Sequence, residues 1–376
     1  MVRFVHTADW QLGMRRHFLD AEAQGRFTQD RLEAIGAIGR LAAEQNAAFV
    51  VVAGDVFDDN QVDRRTVLRT LEVLGAFPEV PVLLLPGNHD PLDAGSVYDR
   101  DDFRDHCPPQ VRVVDDTEPI EVAAGVEVVG APWRVRRQLR NPARDVLDGL
   151  APADGVRVLL AHGGVDEAGG EFDQPGLLRQ ADLDAAVADG RVHYVALGDR
   201  HSTTSLSATG RVWFAGAPEP TAHVEIDPGN ALVVDVDAEA VTVTPHRVGR
   251  WVFRQAVFDV AGAEDLDGVL RWLDAPTDKA HTIAKLALRG TLTLRDRARL
   301  EAALAEAAET YGALEEWERH AELVTAPDDD DLDAMEVGGF VADAVAELRE
   351  RAGASGDDAT DASDALALLY RTVVRA

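Results

Sequence analysis

Five short polar motifs, each following an apolar run, carry the side chains in this sequence that could do chemistry. They combine carboxylates, amides and imidazoles, which bind divalent cations through oxygen and nitrogen. The motifs are HTADWQLG from residue 6, GDVFDD from 54, PGNHD from 86, HGG from 162 and GDRHS from 198. Together they predict a metal centre.

Each motif also has a structural interpretation when it is taken alone. An Asp after a strand commonly caps a helix, and Gly-Asp is an ordinary turn. The turn at 87–90 is more specific, because it follows a Val-Leu-Leu-Leu run and no packing requirement explains Asn88 beside His89. The order and combination of all five motifs favours one shared site.

The motifs need a framework that brings strand ends together. Short β-branched runs predict strands at 2–6, 49–53, 82–85, 126–130, 157–161, 193–197, 211–215, 231–235 and 241–245. The early runs are almost continuously apolar, which suits strands buried on both faces, and helical stretches separate them. The later runs are closely spaced and predict antiparallel hairpins. Since loops after parallel strands meet in one crevice of an α/β sheet, we expect the motifs to converge.

The chain changes character after residue 249. Strands are predicted at 255–260 and 282–288, and a helix at 295–311. That helix has an apolar face formed by Leu300, Leu304, Ala308 and Tyr311. The pattern predicts three domains, at 1–249, 250–326 and 327–376.

The last of these segments reads as a linker with two short amphipathic helices. It opens on four aspartates at 328–331, and a Gly/Ser/Asp-rich stretch at 353–361 separates the helices. The first helix has an apolar stripe of Phe340, Ala344, Val345 and Leu348. The second, at 364–375, has Leu366, Leu369, Tyr370 and Val373.

Composition limits the class of protein. The single cysteine, Cys107, leaves no disulfide framework and no thiolate cluster. We expect a cytoplasmic protein without a membrane segment, because no leader is visible and no run approaches the ~20 apolar residues of a span. The formal charge of −30 argues mildly against a large nucleic-acid footprint but leaves room for a local basic groove.

The motifs HTADWQLG, GDVFDD, LLLPGNHDP and ALGDRHS resemble those of the calcineurin-like metallophosphoesterases, and within them the SbcD-type DNA repair exonucleases. The resemblance is strong over residues 1 to 225. It implies an α/β sandwich of two mixed sheets flanked by helices, a small α/β capping domain and a helical C-terminal tail. It also implies DNA as substrate, a homodimer and an SbcC-like coiled-coil ATPase partner.

The resemblance further implies two divalent cations, Mn²⁺ or Mg²⁺. One would be held by Asp9, Gln11, Asp55 and His201, and the other by Asp55, Asn88, His162 and Asp199. His89 would act on the scissile phosphate, and Asp90 would orient His89. Gln11 and Asp199 replace histidines of the common family pattern, so the site should be richer in oxygen, which favours Mn²⁺ or Mg²⁺ over softer metals.

An arginine-rich segment is the candidate DNA contact. It follows Trp133 and contains Arg134, Arg136, Arg137 and Arg140. These residues could contact phosphates at a groove edge, or form a solvated helix face that pairs with local acids. Arg15, Arg16 and His17 form a second candidate, whereas His6 and His106 are interpreted as structural.

The sequence thus predicts a Mn²⁺-dependent DNA exonuclease, also capable of single-strand endonuclease cleavage, in double-strand-break repair. One alternative is a calcineurin-like phosphoesterase that acts on a small nucleotide or a phosphoprotein. A third hypothesis, from another class, is a non-catalytic scaffold for an ATPase.

Overall fold

The computed structural model describes residues 1–166, 176–325, 338–352, 361–362, 365–366 and 368–369. The chain divides into two compact units, Met1–Val252 and Phe253–Ala376. None of the helices in the described ranges is both long and apolar enough to cross a membrane.

The first unit consists of short strands joined by helices. Its strands are β1 (Val2–Thr7), β2 (Val50–Val52), β3 (Val82–Leu84), β4 (Val111–Val113), β5 (Ile120–Ala123), β6 (Val126–Gly130), β7 (Val156–His162), β8 (Val165–Asp166), β9 (Leu178–Arg179), β10 (Tyr194–Gly198), β11 (Thr204–Ser205), β12 (Val212–Phe214), β13 (Asn230–Val236) and β14 (Val241–Arg247). Its helices are α1 (Ala21–Glu44), α2 (Arg64–Gly75), α3 (Asp101–Arg104), α4 (Pro142–Gly149) and α5 (Gln180–Ala188), with a 3₁₀ turn at Val97–Asp99.

Twelve of these strands form two six-stranded mixed sheets, as predicted. The first sheet has the order β14-β13-β1-β2-β3-β4 and the second the order β11-β12-β10-β7-β6-β5. β1 to β4 run parallel, as do β6, β7, β10 and β12, so their C-terminal ends share one edge in each sheet. β13 and β14 form the expected antiparallel hairpin.

β12 forms the expected antiparallel hairpin, but with β11, a two-residue strand that the sequence pattern did not reveal. On its other side β12 pairs parallel with β10, which was not expected. The connection at 199–211 is long enough for the crossover that parallel neighbours require.

Apolar side chains on both faces of the strands hold the layers together. Phe4, Phe49 and Tyr194 belong to a core between the two sheets, in which the rings of Phe4 and Phe49 stack with centroids 4.6 Å apart. A second core lies between the first sheet and α1 to α3, and a third between the second sheet and α4 and α5. Burial on both faces explains why the early strands are continuously apolar.

The second unit has its own sheet and core. Its elements are β15 (Val252–Val260), α6 (Ala263–Asp274), β16 (Thr282–Leu292), α7 (Leu294–Thr310), β17 (Ala313–Glu316), β18 (Glu322–Thr325), α8 (Phe340–Ala352) and 3₁₀ turns at Lys279–His281 and Glu318–His320. The sheet order is β15-β16-β17, and β18 also pairs with β16. On α7, Ala307 is buried and the expected Ala308 is exposed, whereas Leu300, Leu304 and Tyr311 pack in the core as predicted.

The tail helices pack on each other. Val345 of α8 and Leu366 are both buried, and Leu348 and Leu369 pack against them. Phe340 is 83 % exposed and therefore lies outside the predicted apolar stripe. The aspartates at 328–331, together with Tyr370 and Val373, lie outside the described residues.

Candidate metal centre

The polar loops after β1, β2, β3, β7 and β10 meet at one edge of the sandwich, and glycines allow the close approach. A Cβ at Gly87 would lie 2.1 Å from Oδ1 of Asp55, and one at Gly54 would lie 2.2 Å from Nδ1 of His162. Either contact is far inside van der Waals distance. Only glycine therefore fits these two positions while the polar side chains stay in place.

Three side chains form the centre of the cluster. Asp9, Asp55 and His162 are buried, and each offers a ligand atom within 4.8 Å of the others. Asn88 lies beside them, with its Oδ1 2.7 Å from His162 Nε2. The Asp199 carboxylate reaches to 3.7 Å from the same nitrogen, and the Asp199 amide donates to the Asp9 carboxylate at 3.0 Å. Both sheets thus contribute to one group of donors.

A backbone carbonyl orients the His162 ring. Its Nδ1 lies 2.8 Å from the carbonyl oxygen of Ala53, which can only accept, so Nδ1 carries a proton. This leaves Nε2 facing Asp55 and Asn88 as the atom available to a cation. Fixing one ring nitrogen to present the other is common for metal-binding histidines.

His201 is held in the same way, by a side chain. Its Nδ1 lies 3.0 Å from Oε1 of Glu225 and 2.6 Å from the Thr221 hydroxyl. Its Nε2 lies 3.1 Å from Nε2 of Gln11. Despite burial, the hydrogen bond that His201 donates to Glu225 and the charge of Asp9 raise the pKa of His201.

The backbone is strained where the donors leave it. Asp9, Gln11, Asp55 and Asp199 have positive φ angles of 53°, 42°, 54° and 98°. L residues rarely adopt this region, and such strain collects at functional sites. The fold therefore holds four predicted ligands in an unfavourable conformation that aims them at one point.

The electrostatics of the cluster favour added positive charge, as those of a cation site should. Burial, with the neighbouring Asp55 charge, raises the pKa of Asp9 to about 7. Although burial opposes it, Asp55, Asp9 and Asp199 raise the pKa of His162 well above its usual value. Oε1 of Gln11 is buried without a hydrogen-bond partner among the described residues. An oxygen-rich set with two imidazoles and an unused oxygen fits divalent cations.

Residues 2–203 match the family model of the calcineurin-like phosphoesterases. The chain belongs to this family. Two similar curated relatives are the DNA double-strand break repair proteins Mre11 of Halobacterium salinarum, 28 % identical over 64 % of this chain, and of Haloferax volcanii, 27 % identical over 72 %. A nuclease SbcCD subunit from Rhodobacter capsulatus is 29 % identical over 60 % of this chain and 64 % of its own length. The chain spans only 58 % and 57 % of the two Mre11 proteins.

In this phosphoesterase, His89 lies next to the donor cluster. Its backbone N–H donates to Oδ1 of Asp55 at 3.0 Å. Its ring Nδ1 lies 2.7 Å from the carbonyl oxygen of Asp58, so Nδ1 is protonated and donates there, and Nε2 is left to face a substrate. This arrangement suits the predicted role of His89.

The expectation that Asp90 orients His89 is wrong. Asp90 is fully buried, and its Oδ1 accepts from the backbone of Gly87 at 2.7 Å. Its Oδ2 accepts from the backbone of Phe57 at 3.0 Å and from the Tyr98 hydroxyl at 2.6 Å. With both oxygens taken up in this way, Asp90 joins the second and third phosphoesterase motifs and positions their loops.

The arginine-rich segment is an exposed loop before α4 and not a helix face. Arg140 pairs with Asp145 and Asp148 at 2.6 and 2.7 Å, and Arg134 donates to the carbonyl oxygen of Asp115. Arg136 and Arg137 are exposed. The preceding Trp133 is buried and donates to the carbonyl oxygen of His162, so it supports the metal centre and is not available to stack on a base. DNA binding by the arginines stays a prediction.

The sequence interpretation missed the groups behind the donors. Two of them, the carbonyl groups of Ala53 and Asp58, belong to the backbone and give no signal in residue type. Glu225 is a carboxylate in a loop, 24 residues beyond His201, in a chain with 67 acidic residues. Its spacing alone could not have distinguished it.

Glu225→Ala is expected to weaken Mn²⁺ binding by about 10- to 100-fold, the usual cost of losing a carboxylate behind a histidine ligand. Glu225→Gln should lose less Mn²⁺ affinity than Glu225→Ala, because its amide oxygen can still accept the hydrogen bond from His201 Nδ1. Calorimetric titration of the metal-free protein measures both, with exposed Glu239→Ala as the control. Equal affinity in Glu225→Ala and the control would remove Glu225 from the site.

Proposed function

We propose that this calcineurin-like phosphoesterase is a DNA nuclease that hydrolyses phosphodiester bonds as an exonuclease. The observation that carries the proposal is the convergence of seven polar donors from two sheets, with His89 directly beside them. The donors are Asp9, Gln11, Asp55, Asn88, His162, Asp199 and His201. The names of the relatives support DNA as the substrate class.

The proposed cofactors are two divalent cations, Mn²⁺ with Mg²⁺ as the second choice. Asp9, Gln11, Asp55 and His201 would hold one, and Asp55, Asn88, His162 and Asp199 the other. Divalent cations bound there would supply Lewis acidity, lowering the pKa of bound water and stabilising negative charge on the phosphate.

The protein's own part in the reaction falls to His89. In its imidazolium form His89 donates Nδ1–H to the carbonyl oxygen of Asp58, and Nε2–H can deliver its proton to the leaving oxygen of the cleaved bond, which leaves the ring neutral. The backbone N–H of His89 is anchored on Asp55, so the ring is fixed relative to the donor cluster. Positioning of this kind lowers the entropic part of the barrier.

The purified protein is expected to degrade end-labelled DNA with Mn²⁺, more slowly with Mg²⁺ and not after chelation. Parallel reactions with a nucleoside cyclic monophosphate and a phosphopeptide test the alternative phosphoesterase function. Hydrolysis of these substrates without DNA cleavage would replace the nuclease proposal. Stoichiometric Mn²⁺ binding without any hydrolysis would favour the scaffold.

We also propose that residues 250–326 form a capping domain and that residues 327–376 bind an SbcC-like ATPase. The described tail residues support the second assignment, because Phe340 and Leu368 remain 83 % and 62 % exposed after Val345 and Leu366 have packed together. Exposed apolar residues on a small helical unit are typical of a contact surface. A homodimer and a cytoplasmic location stay predictions.

Truncation before Asp328 is expected to leave metal-dependent cleavage of short DNA within a few-fold of the full chain and to abolish binding to the ATPase. The measurements are a nuclease assay and a pull-down with the ATPase encoded in the same organism. Phe340→Ser in the full chain is the matched point variant. ATPase binding that survives truncation would place the contact elsewhere.

A further inference from the structure

A cavity of 500 Å³ lies beside the first turns of α1 and α2. One wall is the Leu12–Gly13 segment, which directly follows Gln11 in the chain. The volume is within the range of about 300–1,000 Å³ that small-molecule sites occupy. The cavity is therefore large enough for a ligand and adjoins the metal centre through a short loop.

The cavity is basic in a strongly acidic protein. Its lining has four arginines, Arg15, Arg31, Arg65 and Arg69, and one carboxylate, Asp63. The chain as a whole carries a formal charge of −30. Oδ1 of Asp63 already accepts from the Thr66 N–H at 3.0 Å and Oδ2 from the Thr66 hydroxyl at 2.9 Å. Arg69 in turn donates to the Gln29 side chain. The lining still carries a net positive charge, with four arginines against one aspartate.

Arg31 has unused hydrogen-bonding capacity. It is 2 % exposed, and its Nη1 donates to the carbonyl oxygen of Glu219 at 3.1 Å. Its Nε and Nη2 are buried without a hydrogen-bond partner among the described residues. Leaving such donors unmatched costs stability. Because both atoms are buried, Arg31 acts on an anion in the cavity through its charge. The charge of Glu219 also attracts Arg31. The surplus positive charge therefore comes mainly from the three other lining arginines, Arg15, Arg65 and Arg69, which we call the rim arginines.

Two helix ends add to the positive potential. α1 begins at Ala21 and α2 at Arg64, and the lining residues of both helices come mainly from their first two turns. The N-terminal end of a helix carries the positive end of its dipole. Asp20 and Asp63 cap these two ends by accepting from the N–H groups of Ala23 and Thr66. Their negative charges offset part of the dipole potential, so the dipoles add only a small part of the positive potential in the cavity.

The cavity is also preformed on its loop side. The Gln24 side chain accepts from the backbone N–H of Arg16 at 2.8 Å and donates to the carbonyl oxygen of Met14 at 3.2 Å. These bonds fasten the loop to α1 before any ligand arrives, which reduces the ordering cost of binding.

We propose that this cavity binds a phosphate group carried by a nucleotide, either a free mononucleotide or a unit of a DNA strand. Planar guanidinium groups match phosphate oxygens in pairs, and several arginines around one cavity suit a dianion. The proposal that the cavity binds phosphate does not depend on the proposed nuclease function. The proposal that DNA supplies this phosphate does rest on the nuclease function.

Gly25 offers a way to close the cavity without disturbing the fold. It lies on α1 and lines the cavity, and a Cβ built on it meets no atom within 4 Å. Gly25→Ala should therefore be tolerated and should favour the helix. Gly25→Glu should place a negative charge at the mouth of the cavity. Arg65→Gln removes one rim charge, and exposed Arg112→Gln removes the same charge away from the cavity.

The experiment titrates metal-free, chelated protein with deoxyadenosine 5′-monophosphate, a short single-stranded oligonucleotide and inorganic phosphate. We expect Gly25→Ala and Arg112→Gln to bind like the wild type, and Gly25→Glu and Arg65→Gln to lose about tenfold or more in affinity. Binding of the mononucleotide would show that a free nucleotide is a sufficient ligand. Binding of the oligonucleotide but not of the mononucleotide would show that the ligand is a DNA strand. No binding of any probe, or equal affinity in Gly25→Glu and Gly25→Ala, would overturn the proposal. If DNA is not hydrolysed but the mononucleotide binds, the nuclease function fails and this site stands.

Discussion

Asp55→Ala is expected to abolish cation binding and to reduce DNA hydrolysis by more than about a thousandfold, beyond the loss from a single electrostatic donor. Asp55 is 2 % exposed, and its Oδ1 lies 3.4 Å from Nε2 of His162 and accepts the backbone N–H of His89. Because it stands between the two proposed ligand sets, its removal affects both. Calorimetric titration with Mn²⁺ and a labelled-DNA assay measure the two effects.

The control for this variant is Asp116→Ala, which removes an exposed carboxylate far along the chain from the motifs. Circular dichroism should show that both variants remain folded. Wild-type Mn²⁺ affinity in Asp55→Ala would mean that the metal centre is not built around this carboxylate.

His89→Ala is expected to reduce DNA hydrolysis without a comparable loss of Mn²⁺ binding. Hydrolysis should fall by about 10²- to 10⁴-fold, the usual contribution of a positioned general acid. Mn²⁺ affinity should stay within a few-fold of the wild type, because the His89 ring makes its hydrogen bond to the carbonyl oxygen of Asp58 and not to the donor cluster. The same titration and assay decide the outcome. Activity close to wild type would remove His89 from catalysis, and loss of Mn²⁺ binding would make it a ligand.

Strand ends were the predictable part of this molecule. Apolar runs before Asp9, Asp55 and Asn88 mark β1, β2 and β3, and parallel pairing then places the following loops together. In the same way, parallel pairing brings together His162 and Asp199 at the ends of β7 and β10. Residue type and strand position together thus contain most of the candidate site.

Contacts made through the backbone could not be predicted in this way. The sequence suggested that Asp90 and His89 interact with each other. In the structure Asp90 accepts hydrogen bonds from Gly87 and Tyr98, whereas His89 donates to the carbonyl oxygen of Asp58. Adjacent residues in a tight turn commonly point apart, and only the three-dimensional path of the loop decides their partners. Trp133 is a further case, since its indole N–H donates to the backbone carbonyl oxygen of His162, which residue type alone does not predict.

The proposed metal ligands are divided between two sheets, and this links cation affinity to the stability of the packing between the sheets. Asp9 and Asp55 follow strands of the first sheet, and His162 and Asp199 belong to the second. A cation shared between them would favour only the docked arrangement of the layers, and at a hundredfold excess over its Kd this would amount to about 2.7 kcal/mol. Reciprocally, we expect a change in the Phe4–Phe49 stack that loosens the packing between the sheets to lower cation affinity, although neither residue is a proposed ligand. The packing between the two sheets should therefore contribute to cofactor binding together with the side chains proposed to hold the cofactor.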